Sequence, residues 1–540
     1  MSAASRKAAC DPCRFSPIHF FILSAIIFFL PLIVLSLAAA GRDPVAAVTG
    51  GQVRGRLRAA PAGGAVFKGI PFAAPPVGEW RWREPQPVRP WDGVRDALEY
   101  GAPCAQAPAG WNDRVAAIGS EDCLTLNIWT PTWPAGSRLP VMFWVHGGGN
   151  AGGSAQGNIG IEPPFDGERL SRHGVIVVTV EYRLGILGFM AHPEMTAESP
   201  NHTSGNFGLQ DQIAALQWVQ ANIAQFGGDP GRVTVFGQSA GAHDIGLMMT
   251  SPLARGLFHR AIAESGTVII RGQLTPSLKE AEQRGVALAE KMKAPSPGAL
   301  AFMRRLSARE VLKASPPYGS GGSARPEPNV DGYVIPKLPA AVFQEGGQAP
   351  IPLIIGNNGR ERSLAGGPEA LKKGVADFYG PLAPQAMKLY GLAGGAAADA
   401  YPPYGDAAAQ FATDTGFRCS TQTIAGWHSS RFPVYQYEFT QGYEPEGARH
   451  SLELRYVFGM LTDKEREETD RPISDRMQEY WTQFAATGNP NRKGLPAWPK
   501  ADPVKREYLE FSVRGPVVKN NLRRPFCDLF DVKLKQTMNR

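Results

Sequence analysis

The sequence predicts an α/β fold, with a mainly parallel central sheet and helices on both of its faces. Short β-branched and aromatic runs, which suit buried parallel strands, cover Leu139–Val145, 175–181 and 233–236. Helix-forming stretches alternate with these runs, at 206–226 and at 242–249. Strands that alternate with helices favour a parallel sheet, because each helix returns the chain to the start of the next strand.

The first forty residues differ in kind from the rest of the chain. Three basic residues precede an apolar run over 20–37, and small residues follow it at 38–40. This layout predicts a signal peptide over 1–40, cleaved after Ala40, and a single domain over 41–540 that is secreted or periplasmic. An uncleaved membrane anchor is the alternative, because an apolar run of 18 residues approaches the length that spans a bilayer.

Composition narrows the classes of function. Hydrophobic residues make up 43% of the chain, enough for a large core, and the net charge of +7 becomes +5 once residues 1–40, with three basic and one acidic group, are removed. The sequence has no basic stripe with interleaved aromatic residues, the pattern that would indicate nucleic-acid binding. Four cysteines remain beyond residue 40, and their even number favours disulfides. Their spacing indicates no metal site. The oligomeric state stays open.

The stretch 233–242 carries the strongest chemical signal. A buried strand leads directly into Gly237-Gln-Ser239-Ala-Gly241, and an apolar helix follows. Strand, Gly-x-Ser-x-Gly and helix together predict a nucleophile elbow, a sharp turn that exposes the Ser239 hydroxyl at a helix N-terminus. Backbone amides and the helix dipole favour a developing negative charge at that place.

Several segments resemble the type-B carboxylesterase/lipase family, which includes the cholinesterases. They read FKGIPFAAPP, SEDCLTLNIW, HGGG, YRLGILGF, NFGLQDQ, FGGDPGRVTVFGQSAGA and FHRAIAESG. The resemblance runs from about residue 48 to about residue 534 with nearly even spacing. It implies an α/β-hydrolase fold, a deep gorge that leads to the serine, and ester hydrolysis through an acyl-enzyme with no metal or organic cofactor.

The resemblance also assigns an oxyanion hole. It implies that the backbone amides of Gly148, Gly149 and Ala240 bind the substrate oxygen, and glycines suit this role because they let amides approach closely. The family usually has an aromatic residue after the three glycines, whereas this chain has Asn150. This departure affects the expected lining of the neighbouring pocket rather than the oxyanion chemistry.

The base that activates Ser239 is expected among four later histidines. His243 and His259 precede any strand that could carry an acid, and α/β-hydrolases place the serine, the acid and the histidine in that order along the chain. His450 lies in GARHSLELRYVFG, which resembles the family's histidine loop, so it is the predicted base. His428 is the nearest rival.

The acid is expected at the end of a late strand. The run PLIIG at 352–356 predicts that strand, and Glu361 follows it at the position that the resemblance implies for the family's acid. Asp331, in NVDGYVIP, is a distant second because the matching family segment is structural. Arg360 and Arg362 flank Glu361, where either solvation at the surface or a positive potential near the site would explain them.

Two disulfides follow from the resemblance. It implies that Cys104 pairs with Cys123, ahead of the family's EDCL motif, and that Cys419 pairs with Cys527 across the histidine region.

The Gly-, Ser- and Pro-rich stretch 315–328 is expected to be a loop on the acyl-pocket side. Trp111 is a candidate for the gorge mouth, with ordinary packing as the alternative.

The predicted function is that of a serine carboxylesterase acting on a small-molecule ester. A secreted lipase is the second hypothesis, and a non-catalytic binding protein of the same fold is a third, which the retained triad disfavours. Arg325, Arg360 and Arg362 together suggest a positive mouth that attracts anionic esters. Esters of polycarboxylic acids fit that charge, such as the tricarballylate esters of fumonisins that some bacterial members of the family hydrolyse. No stable membrane association is expected unless the leader stays uncleaved.

Overall fold

The strands form where the sequence has short β-branched and aromatic runs. The computed structural model describes residues 43–59, 63–136, 138–157, 165–318, 325–394, 403–461 and 464–539. The predicted signal peptide over 1–40 lies outside them. The strands of the described residues are β1 Val45–Val48, β2 Gly51–Arg54, β3 Arg56–Leu57, β4 Ala65–Pro71, β5 Val94–Asp96, β6 Thr125–Thr130, β7 Leu139–Val145, β8 Ile176–Val180, β9 Gly228–Gln238, β10 Arg260–Glu264, β11 Leu353–Asn358, β12 Val434–Phe439, β13 Glu507–Ser512 and β14 Gly515–Asn520.

The helices alternate with these strands from β7 onward. Those of the described residues are α1 Asp113–Ala117, α2 Glu168–Ser171, α3 Gly185–Phe189, α4 Pro193–Glu198, α5 Phe207–Asn222, α6 Ala240–Thr250, α7 Leu278–Lys291, α8 Ala299–Arg305, α9 Ala308–Lys313, α10 Pro339–Glu345, α11 Gly367–Tyr379, α12 Ala383–Leu389, α13 Ala407–Thr413, α14 Cys419–Ser429, α15 Leu454–Val457, α16 Lys464–Thr487 and α17 Arg524–Met538. Short 3₁₀ helices and one π-turn connect some of them.

The central sheet is mainly parallel, as the alternation of elements predicts. Within the described residues its eleven strands lie in the order β14-β13-β12-β11-β10-β9-β7-β8-β6-β4-β3. Neighbouring strands from β13 to β8 are parallel. The strands at both edges pair antiparallel, a feature that the alternation pattern does not predict. Strands β1, β2 and β5 form a separate three-stranded sheet.

Side chains of the central strands enter two cores, one on each face of the sheet. In β7, Val141, Phe143 and Val145 belong to the core that includes α5 and α6. Met142 and Trp144 belong to the core on the opposite face, which includes α16. Burial on both faces explains why this strand is a continuous apolar run rather than an alternating one.

Two disulfides join distant parts of the chain. Cys104 is bonded to Cys123 at an S–S distance of 2.05 Å, and Cys419 is bonded to Cys527 at 1.99 Å. These are the pairs that the resemblance implies, and such bonds persist in oxidising compartments. Among the described residues, no helix has the length and apolar character that a bilayer crossing requires.

The parallel strands place the chemically active segments at one edge of the sheet. The carboxyl ends of β7, β9, β10 and β11 lie side by side, and α/β folds bind their ligands at that edge. The loops that leave these four ends carry HGGG, the Gly-x-Ser-x-Gly turn, the stretch after Glu264 and the loop with Glu361. Val45–Arg540 form one compact unit.

Candidate active site

Ser239 lies at the turn between β9 and α6, in a backbone conformation that serine rarely adopts. Its φ is 57° and its ψ is −117°, and its amide donates to the carbonyl oxygen of Glu264 at 2.8 Å. Glycine is required on both sides of it. A Cβ atom would lie 2.7 Å from the Val145 carbonyl oxygen if added at Gly237, and 2.1 Å from it if added at Gly241. The two glycines therefore let strand, turn and helix pack against the end of β7.

Ser239, His450 and Glu361 come from three separate segments and form a hydrogen-bonded chain. Nε2 of His450 lies 3.0 Å from Oγ of Ser239, although 211 residues separate them in sequence. Nδ1 of the same ring lies 2.5 Å from Oε2 of Glu361. In this order of hydroxyl, imidazole and carboxylate, the ring can accept the hydroxyl proton while the carboxylate orients it.

Backbone contacts hold the acid and the histidine together. The Glu361 side chain is fully buried, and its Oε1 accepts the amide of Asn358 at 2.7 Å. The amide of His450 donates to the carbonyl oxygen of Glu361 at 3.2 Å. The ring of Phe417 lies 5.0 Å from the His450 ring, centroid to centroid. The ring orientation therefore depends on the loop after β11 and on one aromatic neighbour.

The rival histidine and the rival acid both have structural roles. His428 is fully buried. Its Nδ1 accepts the side-chain amide of Gln348 at 2.7 Å, and its Nε2 lies 2.8 Å from the carbonyl oxygen of Ile351. Oδ1 of Asp331 accepts two backbone amides of its own loop, at 3.0 and 2.9 Å. Neither side chain has a hydrogen bond to Ser239, so neither has the geometry of a triad member.

The amides assigned to the oxyanion hole come from two segments beside Ser239. Gly148 and Gly149 follow β7 with φ values of 109° and 64°. Among the described residues, neither donates its amide hydrogen to a protein acceptor. Ala240 is the first residue of α6, so its amide has no acceptor within the helix. All three amides are thus available to a substrate oxygen.

Asn150, the residue that replaces the family's aromatic, lies in the protein interior. Its side chain is 3% exposed, and its Nδ2 donates to Oδ1 of Asp244 at 2.8 Å. Asp244 is fully buried on α6, and its Oδ2 accepts the side-chain amide of Gln212 at 2.6 Å. Asn150 therefore anchors the glycine loop, and its effect on the lining of the neighbouring pocket stays a prediction.

Two buried glutamates lie close to Glu361, and the sequence analysis missed both. Oε1 of Glu264 accepts the indole N–H of Trp481 at 2.6 Å, and Glu453 accepts the side-chain amide of Asn358. Burial raises the pKa of Glu264 to about 8. Burial and the charges of Glu361 and Glu264 raise the pKa of Glu453 well above its ordinary value. The sequence does contain one signal for Glu264, which is an acidic residue at the end of the apolar strand β10.

One of the three arginines expected to attract anionic esters is already neutralised. Arg360 pairs with Glu444 at 2.6 Å, and its side chain is only 12% exposed. It also donates to the carbonyl oxygen of Pro403 at 3.0 Å. The structure therefore removes Arg360 from that hypothesis.

Arg271, which the sequence analysis did not single out, takes the place of Arg360. Burial lowers the pKa of Arg271, and the positive charges of Arg362 and Arg325 lower it further, so the charges of these two residues act on Arg271. Within the part of the chain that the structure describes, no acidic side chain forms an ion pair with any of them. We refer to Arg271, Arg325 and Arg362 as the arginine cluster.

The arginine cluster adjoins the oxyanion loop. Arg325 donates to the carbonyl oxygen of Gly149, and its guanidinium lies 5.5 Å from the centre of the Tyr318 ring. The Tyr318 ring packs in turn on Trp111, with 5.2 Å between ring centres. Trp111, the candidate for the gorge mouth, thus lies beside Tyr318, which belongs to the 315–328 loop.

Comparison with known proteins gives the class of this protein. The sequence pattern of the carboxylesterase family matches residues 42–373 and 382–530. The chain belongs to this family. Solved structures agree, since one titled PNB esterase has a TM-score of 0.76 and 32% sequence identity, and covers 91% of this chain and 100% of its own. The protein is therefore an α/β-hydrolase and a carboxylic ester hydrolase.

Two curated relatives show the range of this class. The chain is 38% identical over 457 residues to fumonisin B1 esterase of Sphingopyxis macrogoltabida. This alignment covers 80% of this chain and 81% of that protein. It is 34% identical over 557 residues to liver carboxylesterase of Sus scrofa, which covers 91% of this chain and 94% of that protein. The named relatives share ester hydrolysis and differ in the ester.

Proposed function

We propose that Ser239 is the nucleophile, that His450 is its general base and that Glu361 orients the base. The observation that carries this assignment is the 3.0 Å contact between Nε2 of His450 and Oγ of Ser239. His450 takes the hydroxyl proton as Ser239 attacks the ester carbonyl, and then gives that proton to the leaving alcohol. Glu361 stabilises the imidazolium that forms in between.

The oxyanion amides complete the proposed mechanism. As the carbonyl carbon becomes tetrahedral, its oxygen gains negative charge, and the amides of Gly148, Gly149 and Ala240 donate to it. Collapse of this intermediate leaves the acyl group on Ser239. His450 then takes a proton from water as the water attacks the acyl-enzyme, and it gives that proton to Oγ of Ser239 as the acid is released. No step requires a metal or an organic cofactor.

Covalent labelling tests the nucleophile directly. An organophosphonate that carries a reporter group should attach to the peptide with Ser239 in the wild type. Ser239→Ala should fold, resist labelling and lose essentially all hydrolysis of p-nitrophenyl acetate. Labelling at another serine, or turnover above a few per cent in Ser239→Ala, would show that the nucleophile lies elsewhere.

The substrate that we propose is an ester of a small polycarboxylic acid, such as a fumonisin tricarballylate ester. The name of the relative from Sphingopyxis macrogoltabida supports this class. The arginine cluster supports it independently, because unpaired guanidinium groups bind carboxylates through paired charge-assisted hydrogen bonds. Arg325 contacts Gly149 of the oxyanion loop, so a carboxylate bound there belongs to the same substrate whose carbonyl oxygen the loop binds.

A salt series tests the substrate class. Positive charge near the site accelerates the approach of anionic esters, and added salt screens this attraction. We expect kcat/KM for a tricarballylate ester to fall as ionic strength rises, while kcat/KM for p-nitrophenyl acetate stays constant. Arg95→Gln, on the separate three-stranded sheet, removes one positive charge that is not part of the cluster, and its salt response should equal that of the wild type. Equal salt responses of the two esters would exclude the proposed class.

Chain length of the ester decides between the two hydrolase hypotheses. A secreted lipase would prefer long-chain p-nitrophenyl esters and gain activity at an oil–water interface, whereas a carboxylesterase would do neither. A non-catalytic binding protein would hydrolyse none of them. The retained hydrogen-bonded triad supports an enzyme.

Export of the protein is part of the proposal. The two disulfides support an oxidising compartment. N-terminal sequencing of the protein from the medium or the periplasm should find Gly41 as the first residue. A chain that keeps residues 1–40 and stays with the membrane fraction would favour the uncleaved anchor instead.

A further inference from the structure

A buried hydrogen bond joins the oxyanion loop to the helix that carries the nucleophile. Nδ2 of Asn150 donates to Oδ1 of Asp244 at 2.8 Å, across 94 residues of sequence. Asn150 is 3% exposed and Asp244 is fully buried. Water does not compete for this bond, and breaking it leaves an unsatisfied polar group in the interior.

Both partners of the bond are fixed by further contacts. Oδ2 of Asp244 accepts the side-chain amide of Gln212 at 2.6 Å, so both carboxyl oxygens are used. The Tyr182 hydroxyl lies 3.3 Å from Oδ1 of Asn150. The carbonyl oxygen of Asn150 accepts the amide of Gly185 at 2.6 Å. Asn150 is therefore held by its side chain and by its backbone, with a φ of 54° that few residues other than glycine adopt.

The glycines before Asn150 need such an anchor. Gly148 and Gly149 have no side chains to pack, and their positive φ values are accessible to glycine because it is flexible. Their amides must nevertheless remain at a set distance from the amide of Ala240 for all three to bind one oxygen. The bond between Asn150 and Asp244 connects the end of this loop to the first turns of α6, which begins at Ala240.

We propose that Asn150 and Asp244 are positioning residues that hold the Gly148 and Gly149 amides against Ala240. This inference rests on the assignment of those amides to the oxyanion hole in the proposed function. Neither side chain touches the substrate, so loss of the bond should weaken binding of the transition state much more than binding of the ester itself. The bond between Asn150 and Asp244 should therefore affect the rate of the chemical step more than the affinity for the ester.

Asn150→Gly removes the side chain without a penalty for positive φ. Complete loss of one oxyanion donor lowers kcat by about 10²–10³-fold in other enzymes, and a displaced loop keeps part of that interaction. We expect kcat for p-nitrophenyl acetate to fall roughly 10- to 100-fold while KM changes less than about threefold. The Ki of a trifluoromethyl ketone, which mimics the tetrahedral intermediate, should rise in proportion to the loss of kcat/KM.

An exchange of the two side chains tests the bond itself. Asn150→Asp places two carboxyl groups face to face, and Asp244→Asn places an amide between two amide donors. Each single variant should be as slow as Asn150→Gly. The double variant restores one acceptor opposite one donor, and it should recover kcat to within about fivefold of the wild type.

A second buried Asn–Asp pair supplies the control. Nδ2 of Asn206 donates to Oδ2 of Asp331 at 2.9 Å, and both residues are buried, with no hydrogen bond to Ser239 or to the glycine loop. Asn206→Gly should lower the unfolding temperature as Asn150→Gly does, but leave kcat unchanged.

Phosphonate labelling of Ser239 in every variant separates this inference from the proposed function. A variant that is labelled but turns over slowly supports the positioning role. Asn150→Gly that is folded, labelled and within twofold of the wild-type kcat would overturn it and leave the triad assignment intact. A double variant whose kcat does not exceed that of the slower single variant would also overturn the positioning role.

Discussion

The triad and the arginine cluster are built in different ways, although Arg325 of the cluster contacts Gly149 in the loop after β7. Ser239 and Glu361 sit directly after buried parallel strands, and each side chain has a partner within 3.0 Å. Arg271 and Arg362 are loop residues, and no acid among the described residues pairs with either. On the proposed function, the backbone at the strand ends places the catalytic groups, and loop side chains select the ester.

This difference has a physical cause. Positions at strand ends are set by the hydrogen bonds of the sheet, so a catalytic atom placed there varies little. Like charges that act on one another cost folding energy, so a group of arginines without acidic partners is a candidate binding site for an anion. The cluster is thus the part of the site most easily changed by substitution, and the triad is the least.

The largest expected effect is loss of a triad member. His450→Ala and Glu361→Gln should each lower kcat by about a thousandfold or more, because the base or its orienting acid is gone. Both variants should unfold near the wild-type temperature. His428→Ala gives the opposite result, with nearly normal kcat and a lower unfolding temperature, because that ring is buried and hydrogen-bonded on both nitrogens. An inactive, stable His428→Ala would reverse the choice of base.

The two disulfides should stabilise the two regions unequally. Cys419 and Cys527, beside Phe417, are separated by 108 residues, and their double serine variant should lose about 5 kcal/mol of unfolding free energy on chain-entropy grounds. Cys104 and Cys123 close 19 residues, for about 3 kcal/mol. Urea unfolding measures both losses. Peptide mapping without reduction should find both pairs, and free thiols at all four positions would refute the pairing.

Substitution in the arginine cluster should change selectivity and leave the chemistry alone. Arg325→Gln, Arg271→Gln and Arg362→Gln should each lower kcat/KM for a tricarballylate ester by roughly 10- to 100-fold, the size of a hydrogen bond to a charged group. Hydrolysis of p-nitrophenyl acetate should stay within about twofold for Arg271→Gln and Arg362→Gln. Parallel losses on both esters would mean that the cluster supports the fold and does not recognise carboxylates.

The smallest expected effect is a change in how stability depends on pH. Glu264 has a pKa of about 8 in the folded protein, against an ordinary value of 4.5. The folded state therefore keeps a proton that the unfolded state has released, and this group makes stability fall as pH rises from 4.5 to 8. Glu264→Gln should reduce that fall by about 1.4 kcal/mol per pH unit.

Urea unfolding at several pH values between 6 and 8 checks this slope. The nearby Glu453 stays in place, so part of the pH dependence should remain. Glu369→Gln, an exposed substitution on α11, is the control and should leave the slope unchanged. Identical slopes in the wild type and Glu264→Gln would show that Glu264 is already ionised at neutral pH.

Local sequence patterns and the family resemblance were enough to predict the three residues that the structure joins by hydrogen bonds. The strand and helix around Ser239 identify the elbow, and the chain order of serine, acid and histidine leaves few candidates for the other two positions. The parallel centre of the sheet was predictable from the alternation of strands and helices. The antiparallel edges were not, because edge strands such as β3 and β14 are short or exposed and lack a continuous apolar run.

Pairings between distant residues could not be predicted in this way. Arg360 looked like a free charge until the structure showed Glu444, 84 residues further on, beside it. Glu264 meets Trp481 across 217 residues, and nothing in either local sequence indicates the other. Arg271 joins the cluster through the packing of loops, which periodicity does not describe.

The backbone of Ser239 places a limit on how this enzyme can evolve. With φ at 57° and ψ at −117°, the position suits glycine, and any other residue there stores about 1–3 kcal/mol of strain. A β-branched threonine would fit worse still, so the family's nucleophile cannot drift to the other hydroxyl amino acid. Selection for thermal stability alone would favour glycine at position 239. A strained serine at this turn is therefore what the proposed role of Ser239 as the nucleophile would require.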